Sequence, residues 1–208
     1  MSADARGTLP DRRIQIRMSA QDLINIGVFA ALYIATIFAI NLFAFVNPLV
    51  MLAAIAVSIV AGGIPFTLFL TRVRHAGMVT VFGIITAGLL VLTGHPPICF
   101  VVTVGCAIAV EVVLWLGGYR SRAMDVLAYA IYALWYVGPL LPIFYARDEY
   151  FSSRSMAELG PDYIAQMDRL LSPAVLIAFD VSTFFFGLLG ALLGVRLLRK
   201  HFERAGLA

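Results

Sequence analysis

The chain has 208 residues, of which 62% are hydrophobic and 13% charged, and its mean hydropathy is +0.94. A soluble domain is nearer half apolar and a quarter charged, so the composition excludes a water-soluble protein and predicts one all-α bundle in a membrane. The net charge of +3 comes without a basic domain, which excludes a nucleic-acid-binding module.

The first apolar stretch covers residues 22–45 and contains one charged residue, Asp22, at its start. At helical rise it is about 36 Å long, enough to cross a bilayer with some tilt. Ser19 precedes Asp22 by one helical turn, a pattern that predicts a capped helix start. The polar residues 1–21 therefore form a tail before the first span.

Small residues recur at every fourth position of this span, at Gly27, Ala31, Ala35 and Ala39. On a helix they share one face, and in lipid such a face lets another backbone approach closely. The spacing alone leaves two interpretations open. The stripe packs against another helix of this chain, or it receives a helix of a partner protein.

Five more apolar stretches follow, and one long polar segment separates the last two. The stretches cover 48–71, 76–92, 98–117, 123–145 and 174–198, and the polar segment covers 146–172. Gly62-Gly63-Ile64-Pro65 predicts a bend in the second span. Pro139 and Pro142 predict a loosened end to the fifth, where freed carbonyls need a cavity, water or ligand. Gly187, Gly190 and Gly194 predict a close internal helix contact in the last span.

Basic residues are concentrated on one side of the six predicted spans. They are Arg6, Arg12, Arg13, Arg17, Arg72, Arg74, Arg120, Arg122, Arg196, Arg199, Lys200 and Arg204. The other side has only Arg147, Arg154 and Arg169, in a polar segment with more acidic than basic residues. By the positive-inside rule, both termini are cytoplasmic, including the tail 201–208, and the polar segment is extracellular.

Polar groups inside the spans are the first candidates for function, since each is costly in lipid. A carboxylate such as Asp180 in the last span costs about 2.5–3.5 kcal/mol on the insertion scale. It either contacts a ligand in an outward cavity or bonds a neighbouring helix. Asn41 lies near the outer end of the first span. Glu111, in the inner half of the fourth, is more typical of a structural contact.

Other candidates lie at or near the predicted outer side. Trp135 is in mid-span, where it packs in the core or floors a pocket, because aromatic belts belong at the interfaces. His95 lies in a Gly-His-Pro-Pro turn. It either donates to an anionic ligand, ligates iron or is simply solvated. Arg147 either grips a carboxylate or pairs with Asp148, and Tyr145 precedes it. We expect a pocket formed by the turns after spans one and three, the end of span five and the start of span six.

Catalysis has little support in the sequence. The motifs GxxxxGK[ST], HExxH and GxSxG are absent, so the chain does not hydrolyse ATP by a P-loop. Cys99 and Cys106 are about 10 Å apart on a helix, too far for a disulfide. We expect no enzyme activity, no cofactor and no metal site.

Five strings carry a resemblance to a known family. They are DLINIGVFAALY (22–33), GGIPFTLFLTRVRHAGMVT (62–80), LTGH (92–95), YALWYVGPLLPIFYARDEYF (132–151) and LLGALLGVRLLRKHFERAGL (188–207). Together they resemble the MptD-type, or Trep_Strep, family of S components of energy-coupling-factor (ECF) transporters. The resemblance covers nearly the whole chain after the tail.

The resemblance implies a six-helix subunit that captures a micronutrient in an outward cavity. Its partners would be a transmembrane T protein and two cytoplasmic ATPases, and the whole subunit would topple to deliver its cargo. Many S components dock through an Ala-xxx-Ala groove on the first helix. That groove corresponds here to Ala31 and Ala35, extended by Gly27 and Ala39.

The cargo stays open between a vitamin-like molecule and heme, for which His95, Tyr145 and Met167 are test residues. Two other functions are weighed. A stand-alone carrier or channel would work without ATPases. An intramembrane enzyme would use Asp180 and Glu111, whose predicted places in opposite leaflets argue against a shared site.

Overall fold

The computed structural model describes residues 18–73, 75–119 and 121–204, and this part of the chain is helical without strands. Ten α-helices occur within these ranges, and two short 3-10 helices, Leu42–Phe45 and Ala133–Val137, extend the first and fifth. The α-helices are α1 Ala20–Asn41, α2 Pro48–Leu70, α3 Met78–Leu92, α4 Ile98–Leu116, α5 Arg122–Tyr132, α6 Pro142–Tyr145, α7 Arg147–Ser152, α8 Arg154–Ala157, α9 Pro161–Leu170 and α10 Pro173–Arg204.

Four helical stretches are long and apolar enough to cross a membrane within the described ranges. They are Ala20–Phe45, Pro48–Leu70, Ile98–Leu116 and Pro173–Lys200. The helix α3 is apolar but shorter. Its 15 residues span about 22 Å, against a hydrocarbon core of about 30 Å. The prediction of an all-α membrane protein is confirmed, and the count of six spans stays a prediction.

The fifth predicted span is not one continuous α-helix. The helix α5 ends at Tyr132 and tightens into the 3-10 helix Ala133–Val137, before the prolines that were expected to loosen it. Pro139 explains the early change, because in an α-helix its ring would clash with the carbonyl of Trp135, four residues earlier. The break therefore starts nearly two turns ahead of the residue that causes it.

Two helix starts are fixed by local hydrogen bonds. The Ser19 backbone N–H donates to Asp22 Oδ2 at 2.9 Å, and the Asp22 N–H donates to Ser19 Oγ at 3.2 Å. This capping box confirms the predicted start of α1. Asn47 caps α2 by accepting from the Val50 N–H at 2.9 Å, with Pro48 in the first helical position.

The helices α2 and α10 meet through glycine. A Cβ built on Gly63 would lie 2.3 Å from the Gly190 carbonyl carbon, and one on Gly187 would lie 2.8 Å from Ala130 Cα. No side chain fits at such distances, so these positions need glycine. The predicted internal contact of the last span is confirmed, with α2 and α5 as its partners.

Aromatic rings fill the centre of the bundle. Phe66 stacks on Tyr132 with ring centroids 4.7 Å apart, and Phe69 stacks on Phe82 at the same distance. Tyr33 meets Phe82 edge to face at 5.6 Å. All five side chains are fully buried. Such pairs contribute about 0.5–1.5 kcal/mol each beyond burial, so this cluster joins α1, α2, α3 and α5 firmly.

A second apolar cluster lies under the polar segment. Its buried members are Leu140, Ile143, Met167, Leu171 and Leu176, and partly buried side chains of α2 and α10 pack on them. The Tyr163 hydroxyl donates to the Ala44 carbonyl at 2.8 Å. The polar segment therefore folds back over the end of the bundle where α1 ends and α10 begins. We call this the polar-segment end.

Several basic residues behind the predicted orientation lie outside the described residues. They are Arg6, Arg12, Arg13, Arg17, Arg74 and Arg120, together with the side chain of Arg204. The orientation with both termini in the cytoplasm therefore stays a prediction.

Candidate docking surface and substrate site

The stripe of small residues lies on the outer surface of α1. Gly27, Ala31, Ala35 and Ala39 are all exposed, and a Cβ built on Gly27 would meet nothing within 4 Å. The opposite face of α1, with Ile26, Ala30, Tyr33 and Ile37, is fully buried. The stripe therefore packs against no described helix of this chain and is free to meet lipid or a partner.

Asn41 and Trp135 belong to one chain of contacts across three elements. Asn41 Nδ2 donates to Ser58 Oγ at 3.4 Å, and Ser58 Oγ lies 3.1 Å from Tyr136 Oη. The Trp135 and Tyr136 rings stack with centroids 4.0 Å apart. Trp135 Nε1 donates to Tyr33 Oη at 2.8 Å. These bonds fix the end of α1 and the 3-10 helix Ala133–Val137 against α2.

Trp135 is 2% exposed and its one polar atom is bonded, so in this structure it packs in the core. The sequence interpretation missed Tyr33 as the partner of Trp135 and Ser58 as the partner of Tyr136. Tyr136 shares helical spacing with Tyr129 and Tyr132, a signal of one aromatic face. That signal places Tyr136 toward the core but does not predict its bond to Ser58.

Asp180 has a buried carboxylate oxygen, Oδ1, that accepts no hydrogen bond from any described residue. Asn41 Oδ1 is buried and unpartnered in the same way. The alternative in which Asp180 bonds a neighbouring helix therefore finds no donor for Oδ1 among the described residues. Buried polar atoms are normally bonded, so both are open to a ligand or water.

Arg147 is engaged within the polar segment. Its Nε donates to Asp168 Oδ1 at 2.8 Å, and its Nη1 donates to the Leu171 carbonyl at 2.9 Å. Its guanidinium carbon also lies 5.3 Å from the Phe151 ring centre. Of the two alternatives, local pairing with Asp148 is not the one seen: the ion pair forms with Asp168, because the fold brings α9 beside α7. The Arg147 guanidinium therefore holds the polar segment together. Tyr145, the residue two positions before it, has a side chain that is 68% exposed.

His95 is half-buried in the turn between α3 and α4. Its Nδ1 lies 3.1 Å from the Leu90 carbonyl oxygen and 3.3 Å from Thr93 Oγ1. Burial lowers the pKa of His95 from its ordinary value of 6.5, and the bond to the Leu90 carbonyl opposes that shift. Burial therefore favours the neutral ring, whereas the bonds of the turn fix the position of His95.

A family model for hypothetical bacterial integral membrane proteins, called Trep_Strep, matches residues 20–204. The chain belongs to the Trep_Strep family. The match runs from the start of α1 to the end of α10, so it includes the stripe, the core and the polar segment. No curated protein and no solved structure matches the chain. Membership identifies an integral membrane protein and is consistent with a transporter component.

The three test residues for heme have different surroundings in this Trep_Strep protein. Met167 is 1% exposed in the apolar cluster under the polar segment, and Tyr145 is largely exposed. His95 is held by its own turn. Among the described residues, no group of three or more His, Cys, Asp or Glu side chains could hold a metal ion. Heme ligation by this set would need Met167 to leave its cluster.

Glu111 caps the start of α3. Its Oε2 accepts from the Val79 and Thr80 N–H groups, each at 3.2 Å, and its Oε1 accepts from the Tyr119 hydroxyl at 2.8 Å. These bonds satisfy donors that a helix start leaves free and place a negative charge at the positive end of the helix dipole. The structural interpretation of Glu111 is confirmed.

Proposed function

We propose that this Trep_Strep protein is the substrate-capturing S component of an ECF-type importer. It binds a micronutrient outside the cell and delivers it by toppling, together with a T protein and two ATPases. The observation that carries the proposal is the exposed stripe on α1, left uncovered by the described helices. The resemblance of the five strings to S components supports it.

The stripe suits a helical partner for a physical reason. Inside lipid no hydrophobic drive holds helices together, so association depends on close van der Waals contact. The four small residues expose the α1 backbone along about three helical turns, which leaves room for a facing helix. The chain has no P-loop, so an ATP-driven cycle requires its energy from a partner.

The proposal includes six spans with both termini in the cytoplasm. The four long stretches supply four of these spans, and the helix α3 and the fifth segment, residues 122–145, supply the other two. The polar segment then lies outside the cell, and the polar-segment end receives the cargo. Gly27, Ala31 and Ala35 lie toward the cytoplasm, where the T protein would meet them, and Ala39 and Asn41 lie toward the cavity.

Replacing Ala31 and Ala35 with Trp tests the docking surface. We expect the double variant to lose co-purification with the co-expressed T protein and ATPases, because two indoles fill the exposed face. Ala109→Trp, at an exposed position of α4, is the matched control and should assemble normally. Equal thermal stability of all three proteins shows that the fold is intact. Normal assembly of the double variant would contradict the docking surface.

Native mass spectrometry of the purified chain tests the binding role. We expect a small molecule to co-purify and to be released on unfolding. Uptake into liposomes by the chain alone, without ATPases, would instead support a stand-alone carrier.

A further inference from the structure

The carboxylate of Asp180 has no counter-charge among the described residues. Its Oδ1 is buried without a partner, and none of the described Arg, Lys and His side chains forms an ion pair with it. An ionisable group within an apolar helix is expensive and is a functional candidate by default.

Helical geometry places Asp180 beside the broken fifth segment. Asp180 and Gly187 are about two turns apart on one face of α10, and Gly187 packs against Ala130 and Ala133. The helix α5 runs toward the polar-segment end and α10 runs away from it. Two turns from Gly187 toward that end, Asp180 lies about 10 Å further along, at the level of residues 136–139.

Two backbone carbonyls at that level have no donor. A 3-10 bond to Tyr136 would come from residue 139, and one to Pro139 from residue 142, but both are prolines without an N–H. The residues that follow these prolines, Leu140 and Ile143, donate their N–H groups to other carbonyls. The Leu140 N–H donates to the Val137 carbonyl at 3.2 Å, and the Ile143 N–H donates to the Leu140 carbonyl at 3.0 Å. Two carbonyl oxygens and one carboxylate oxygen are therefore left as acceptors at one level of the bundle.

Two polar side chains near this end of the bundle are already bonded. Arg147 is bound to Asp168 and Leu171, and the Asn41 amide donates to Ser58. The other two arginines of the polar segment, Arg154 and Arg169, are exposed on its surface. Around Asp180 the described groups thus offer free acceptors, whereas the exposed cations Arg154 and Arg169 lie on the surface of the polar segment.

We infer that Asp180, with the Tyr136 and Pro139 carbonyls, receives a monovalent positive group, either an ammonium of the cargo or a free alkali ion. A carboxylate and carbonyl oxygens are the ligands that such a charge prefers, and a partly dehydrated carboxylate is stabilised by it. Resting on the proposed function, the inference makes the cargo cationic or cation-coupled and argues against an anionic one such as heme.

Thermal shift of the purified full chain with matched probes tests this inference. Benzylammonium, benzyl alcohol and benzoate share one ring and differ in charge, and sodium chloride against magnesium chloride at equal ionic strength tests the alkali ion. We expect benzylammonium or sodium to raise the melting temperature, and benzyl alcohol and benzoate to leave it unchanged. A rise with sodium alone would identify the alkali ion as the ligand, and a rise with benzylammonium alone would identify the ammonium group.

Variants of the carboxylate complete the test. Asp180→Asn should weaken the binding of the probe that raises the melting temperature about 30-fold. Asp180→Glu, which keeps the charge, should retain part of the rise in melting temperature. Asp162→Asn, an exposed acidic position of α9, should change nothing. Absence of any cation-dependent shift, or an equal shift in Asp180→Asn, would overturn the inference. Assembly with the T protein is a separate readout, so the two proposals can fail independently.

Discussion

Two regions of the molecule are held together in contrasting ways. The interface of α2 with α10 is a glycine contact in which backbones touch, next to a cluster of buried rings. The polar segment is held by the Arg147 clamp and the Tyr163 bond to Ala44, over a smaller apolar cluster. The first region tolerates no added volume, whereas the second depends on a few bonds that can break one at a time. The difference predicts that the polar segment can open while the rest of the bundle stays rigid, and we call this segment the cover.

The largest effect should come from the glycine contact. Gly63→Leu places a side chain where the Gly190 backbone lies, so α10 must move away from α2. We expect a loss of roughly 3 kcal/mol or more, seen as failed folding or a much lower melting temperature in detergent. Gly88→Ala is the control, because a Cβ there meets nothing within 4 Å. Equal stability of Gly63→Leu and wild type would contradict the close contact.

A smaller loss should follow from removing the Tyr33 hydroxyl. Tyr33→Phe leaves the buried Trp135 N–H without its acceptor, which costs about 1–3 kcal/mol. Tyr145→Phe, at a largely exposed position, should have no measurable effect. Thermal unfolding of both variants checks this, and similar melting temperatures for the two would show that the buried bond is unimportant.

The cover should respond to Tyr163→Phe with little change in global stability. The bond to Ala44 contributes about 0.5–1.5 kcal/mol, so its loss should speed amide exchange in residues 147–171 roughly 2- to 10-fold. Exchange within α2 should stay the same. Arg147→Met should act in the same direction, because it removes the bonds to Asp168 and to the Leu171 carbonyl. Equal acceleration in both regions would contradict a separable cover.

The smallest effect concerns pH. The folded-state pKa of His95 is lowered below its unfolded value of about 6.5 by burial, so the unfolded chain binds more protons between these two values. Stability therefore falls as the pH drops through about 6.5 toward the folded pKa. His95→Gln should reduce the difference in melting temperature between neutral and mildly acidic pH. An unchanged difference would mean that other groups cause it.

Local patterns predicted much of the helical framework. The capping box at Ser19 and Asp22 and the small residues of α1 could be read from the sequence, because they depend on spacing within one helix. The sequence predicted that prolines loosen the end of the fifth segment, but not that the α-helix would already end at Tyr132. Asp180 was singled out by its charge alone, and the structure added that its Oδ1 has no donor.

Tertiary structure alone decided which faces meet. Leu23, Val28 and Leu32 on the exposed side of α1 are as apolar as Ile26 and Ile37 on its buried side. In a soluble helix polarity would separate the two faces, but lipid and protein interior are both apolar, so it cannot do so here. For the same reason the sequence could not tell whether the stripe was covered. The pairing of Arg147 with Asp168 likewise depends on how α9 folds back on α7, which no local pattern encodes.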